Sequence, residues 1–81
     1  MIIFDEDRDI LIENITILLK KEEADQLIYC LKELLSNTEK NGHYHLNNDN
    51  YSKEITVALY DKEKDLNNFA YKYQKAILED D

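Results

Sequence analysis

Two histidines, His43 and His45, lie two residues apart, so on a β-strand both imidazoles point to one side, with Tyr44 and Leu46 on the other. That spacing suits two ligands of one metal ion. Zinc needs three or four, however, and only Asp49 or Cys30 offer themselves as completions, so the histidines are expected to be solvated or part of an interface, with no metal and no cofactor. Cys30 is the only cysteine. It falls beside the apolar positions Leu27, Leu31 and Leu34 with no Cys-x-x-Cys partner, which predicts a buried, inert thiol rather than a nucleophile. Two acidic runs, Asp5-Glu6-Asp7-Arg8-Asp9 and Asp61-Lys62-Glu63-Lys64-Asp65, are candidates for carboxylate or calcium chemistry. The first lacks the central glycine of a calcium loop, and general acid/base work needs carboxylates held in a pocket, whereas these have the composition of solvated turns. No catalytic constellation emerges, and the chain is expected not to be an enzyme.

What remains is surface chemistry for binding. Asp and Glu number 18 against 10 Lys and Arg, a formal charge of -8. Such a field repels phosphates, and the basic residues are scattered singly or in pairs such as Lys20-Lys21, so direct nucleic-acid binding is not expected. The same field attracts a basic protein and speeds its association. Tyrosine occurs 6 times against 2 Phe and no Trp. Its ring buries apolar area while the hydroxyl keeps a hydrogen bond, which makes it an interface residue. Asp61, Glu63, Asp65, Tyr51, Tyr60, His43 and His45 are therefore the predicted partner-binding residues, with Tyr71 also exposed and Tyr73 in the core.

These residues must be carried on a small frame. An 81-residue chain buries only a modest core. With 43% hydrophobic residues, a single Gly and no Pro, it has the composition of one folded α+β domain over residues 1–81. Charges interrupt every apolar run well short of the roughly 18 residues of a membrane span. Met1-Ile2-Ile3-Phe4 leads directly into acidic residues without the basic start of a secretory signal, and the lone cysteine forms no intramolecular disulfide, which together predict a cytoplasmic protein.

The pattern along the chain predicts β-prone residues 1–4, a polar turn, and one or two strands over residues 10–19, where apolar parity switches around Glu13-Asn14. From about Lys21 the period becomes helical, with Ala24, Leu27, Ile28, Leu31, Leu34 and Leu35 on one stripe. The helix is expected to reach residue 36 or 40, with Asn41-Gly42 as a left-handed stop. A short strand over 43–46, a turn at Asn47-Asn48-Asp49-Asn50 and an alternating strand over 54–60 form a hairpin. A second helix carries Leu66, Phe69, Ala70, Tyr73 and Ile77. The order β-β-α-β-β-α predicts a small, mostly antiparallel sheet with two helices on one face. The other face, with Thr56, Ala58 and Tyr60, is left open for a partner or a second copy.

Leu19-Lys20-Lys21-Glu22-Glu23-Ala24-Asp25-Gln26-Leu27, Gly42-His43-Tyr44-His45-Leu46 and Glu54-Ile55-Thr56-Val57 together resemble the E-E-A-x-x-L helix and H-x-H-L strand of the immunity protein 32 family of bacterial polymorphic toxin systems. The likeness spans residues 19–60 and does not extend to the second helix. It implies a binding inhibitor without activity of its own, whose partner is a toxin; with the acidic charge, the expected target is a basic protein such as a nuclease. A phage-encoded DNA mimic of the anti-CRISPR or anti-restriction kind, and a self-associating homodimer, are the alternative readings.

Overall fold

The computed structural model describes residues 1–36, 42–61 and 66–80. Its elements run in the order β-β-α-β-β-α, an α+β fold: β1 (Ile3–Asp5), β2 (Ile10–Ile12), α1 (Lys21–Ser36), β3 (His43–Asn47), β4 (Glu54–Ala58), a 3₁₀ turn (Leu66–Asn68) and α2 (Tyr71–Glu79). The strands are shared between two two-stranded antiparallel sheets, β1–β2 and β3–β4, instead of joining in one. Contacts gather the chain into two compact units. One combines Met1–Ile17 with Tyr60–Asp81, and the other is Leu18–Leu59.

In the first unit, β1 and β2 pair Ile3 with Ile12, Phe4 with Leu11 and Asp5 with Ile10. The Asp5 carboxylate Oδ1 accepts hydrogen bonds from the Asp7 and Arg8 amides at 3.1 and 3.2 Å, and the Asp5 carbonyl accepts one from Asp9 N at 2.8 Å. Asp9 completes the reversal with φ 59°, a left-handed conformation that Asp tolerates because its short side chain bonds locally. Of the one or two strands predicted over residues 10–19, one forms, Ile10–Ile12, and it ends at the expected break. Its ladder ends where β1 offers no further partner, and Glu13 bends away at the parity switch. The second helix also starts later than the apolar spacing suggests. Ala70, with φ -59° and ψ 153°, is extended, so residues 66–68 form a separate 3₁₀ turn, in keeping with the preference of Asn67 for turns. The buried residues of α2 are Ala76 and Ile77, and Phe4 meets Tyr73 edge to face at 5.3 Å.

In the second unit, Lys20 stands immediately before α1 and closes its N-terminus. Its backbone N–H donates to Glu23 Oε1 at 2.9 Å, and its carbonyl accepts the first helical bond from Ala24 N, so an N-terminal orphan donor is satisfied by the side chain three residues on. Glu22 and Glu23 sit in the first turn, where the helix dipole favours them. Ser36, the last described residue of α1, donates its hydroxyl back to the Lys32 carbonyl at 2.9 Å. Of the predicted stop Asn41-Gly42, Gly42 has no positive φ and Asn41 lies outside the described residues. β3 and β4 pair from His43–Ala58 to Asn47–Glu54. Leu46 is buried and Tyr44, Ile55 and Val57 half-buried, facing the helix, as the alternation requires. Strand β4 ends at Ala58 rather than residue 60 because His43, opposite it, is the first residue of β3. Cys30 and Leu34, at 7% and 4% exposure, complete this core.

Candidate functional site

The outer face of the β3–β4 hairpin carries the residues that register places opposite and beside one another: His43, His45, Glu54, Thr56 and Ala58, all exposed. The two imidazoles meet edge to face with centroids 4.9 Å apart. His45 Nδ1 lies 2.9 Å from Thr56 Oγ1 and 3.3 Å from Glu54 Oε1, so whichever tautomer it holds, a hydroxyl or a carboxylate is at hand to orient the ring. Protonation of His45 would turn the Glu54 contact into an ion pair. Among the described residues no group of three or more His, Cys, Asp or Glu side chains is arranged to hold a metal ion.

The turn between these strands is a polar network. Tyr51 N donates to the Asn48 carbonyl at 3.0 Å, Asn48 Oδ1 accepts from Lys53 N at 3.0 Å, Asn48 Nδ2 donates to Ser52 Oγ at 2.9 Å, and Asn50 Oδ1 accepts from Ser52 N at 3.1 Å. This places Tyr51 at the tip with φ 57° and its side chain in solvent, 78% exposed. His43 sits at the opposite, open end of the same hairpin, so the strands hold His43 and His45 together and set Tyr51 apart from them.

Tyr60 and Asp61 belong to the other unit. Asp61 is exposed, while Glu63 and Asp65 lie outside the described residues. Tyr60 is half-buried instead of open: its hydroxyl donates to Asp80 Oδ2, and the Met1 ammonium lies 3.1 Å from that hydroxyl and 2.9 Å from the carboxylate. The hydrogen bond to Asp80, with some burial, raises the Tyr60 pKa above its usual value. Tyr71, 81% exposed, is open as expected.

The spacing gave no hint of a second cluster in that unit. Lys72 Nζ donates to Glu6 Oε2 and Asp9 Oδ1, both at 3.0 Å, and stands 4.6 Å from the Phe4 ring centroid and 5.1 Å from that of Tyr73. Tyr73 donates its hydroxyl to Glu6. These contacts hold the ammonium protonated far above its ordinary range, through Asp9 first and then Glu6. The Tyr73 bond, followed by that from Lys72, lowers the Glu6 pKa. Residues 6 and 9 come from the first turn and 72 and 73 from the last helix, and no local pattern in the sequence joins them.

Fold and exposed surfaces define a small α+β protein whose candidate site is a hairpin face rather than a cleft. No protein-family model, no curated protein and no solved structure matches the chain. No described helix is long and apolar enough to cross a membrane.

Proposed function

We propose that the chain is a cytoplasmic binding protein that inhibits a basic protein partner, most simply a bacterial toxin of nuclease type to which it confers immunity. The observation that carries the reading is the surplus of 18 acidic over 10 basic residues on so small a chain. A field of that sign steers a cationic surface into contact and raises the association rate. The exposed aromatic and imidazole groups of the β3–β4 hairpin, Tyr51, His43 and His45, supply area that becomes desolvated on contact, and Asp61, Glu63 and Asp65 supply charge. The resemblance of residues 19–60 to toxin-immunity proteins supports the same class.

The test is a pull-down of the tagged chain from its native cells at low and then raised salt, followed by affinity measurements on the protein recovered. A single basic protein held at low salt is expected. Reversing two of Asp61, Glu63 and Asp65 should weaken its binding by about 1–3 kcal/mol if those charges are desolvated in the complex. Unchanged affinity after reversals in every acidic cluster would refute the electrostatic reading. Competition between DNA and the chain for a captured nuclease would favour the DNA-mimic alternative over a toxin antidote.

A further inference from the structure

Helix α1 carries more apolar surface than its own hairpin covers. The line through Leu27, Cys30 and Leu34 faces β3–β4, and the latter two are buried. Ile28, Leu31 and Leu35, which the sequence places on the same stripe, are 51%, 42% and 67% exposed. With half-buried Ala24 they recur at intervals of four, three and four residues, the alternation of a coiled-coil seam, roughly a quarter turn around the helix from the line that meets the hairpin.

The flanks of this seam decide what fits it. On one side stand Leu27 and Leu34, turned toward the hairpin. The other side carries Asp25 and Lys32, one heptad apart and of opposite sign. Among the described residues neither has an ion-pair partner in its own chain. In a parallel helix pair the Asp25/Lys32 flank would meet the hairpin-covered flank of its neighbour. In an antiparallel pair like flanks meet, so a twofold axis at the centre of α1 sets Asp25 of each copy near Lys32 of the other. The same axis packs Ile28 against Leu31 and Ala24 against Leu35, and it opposes the two helix dipoles favourably.

We propose that α1 pairs antiparallel with α1 of a second copy of this chain through Ala24, Ile28, Leu31 and Leu35, with reciprocal Asp25–Lys32 ion pairs at the rim. A 16-residue helix is about 24 Å long, so the contact lies at the small end of specific interfaces and makes a weak, concentration-dependent dimer. The formal charge of -8 on each copy opposes association at low ionic strength, so dimerisation should strengthen as salt rises toward about 0.1 M, where the Debye length falls to about 10 Å.

Sedimentation velocity on the full chain from micromolar to millimolar concentration tests this. The mass should rise from monomer to dimer. Ile28→Glu and Leu31→Glu, both at exposed positions and checked for folding by circular dichroism, should weaken the dimer at least tenfold. Asp25→Lys alone should also weaken it, and Asp25→Lys combined with Lys32→Asp should restore it. A wild-type chain that stays monomeric throughout, a seam variant that dimerises as well as wild type, or a charge swap that fails to restore pairing would each overturn the proposal. Loss of a captured basic partner on Leu31→Glu in a monomeric wild-type background would assign the seam to that partner instead.

Discussion

Lys72 shows how much one side chain can tie together. Its ammonium joins Glu6 and Asp9 of the first turn while its position over Phe4 and beside Tyr73 adds ring contacts, so a residue near the end of the chain fixes one near the start. Because the Glu6 pKa is lowered in the folded protein, its contribution to stability is present above the ordinary carboxylate value of 4.5 and is lost as pH falls through that value and below it. Thermal melts between pH 6 and 3, a range set by ordinary carboxylate titration, should therefore show a shallower acid decline for Glu6→Gln than for wild type. Equal slopes would remove Glu6 from the set of coupled carboxylates. Tyr51 is a residue-scale case of the opposite kind. A non-glycine residue held at φ 57° with an exposed ring carries backbone strain, so Tyr51→Gly should stabilise the fold by about 0.5–1 kcal/mol. That corresponds to a rise in Tm of a few degrees. If Tyr51 also anchors the partner, the same variant binds less tightly while melting higher, which a loss of folding could not mimic.

At the scale of elements, the hairpin β3–β4 was legible because its signals are local. Alternation of Ile55 and Val57 with Thr56 and Ala58, the Asn-rich turn and the paired histidines all act within a few residues, and the observed register follows them. Helix α1 was legible as a helix but not in its rotation. Its apolar stripe is wide, and a two-stranded hairpin covers only part of it, so which third of the stripe becomes buried depends on where Tyr44, Leu46, Ile55 and Val57 press. The end of β2 was signalled by the parity switch at Glu13-Asn14, but whether Ile15 and Ile17 form a second strand was not, since they are as β-prone as Ile10 and Ile12 and only the structure leaves them outside either sheet. Strand length is a property of the partner as much as of the segment.

For the whole molecule, the two units make a sharp test of cooperativity. Leu34 is 4% exposed in one and Ile77 2% exposed in the other. Leu34→Ala and Ile77→Ala should each cost about 2–4 kcal/mol, a large share of the roughly 4–12 kcal/mol expected for a chain of this size. If residues 1–81 form one domain, each variant melts in a single transition, read identically by the NMR amide signals of β3 in one unit and of α2 in the other. Two separate transitions would show that the units fold independently. The inhibitory reading also belongs to this scale, because steering depends on the summed field of all the charges rather than on any one cluster.

The sequence by itself determined the α+β class, the order of the six regular elements, the burial of Cys30 and the exposure of Tyr51, Tyr71 and the two histidines, because periodicity, turn chemistry and side-chain alternation are set by neighbours within a few positions. Only the tertiary structure divided the strands between two sheets, turned Tyr60 inward toward Asp80, gathered Lys72, Glu6, Asp9, Phe4 and Tyr73, and left Ile28, Leu31 and Leu35 uncovered on α1. Those outcomes depend on contacts between residues as many as 69 positions apart, as Phe4 and Tyr73 are, and on how much surface a short hairpin can cover, quantities that no local pattern encodes.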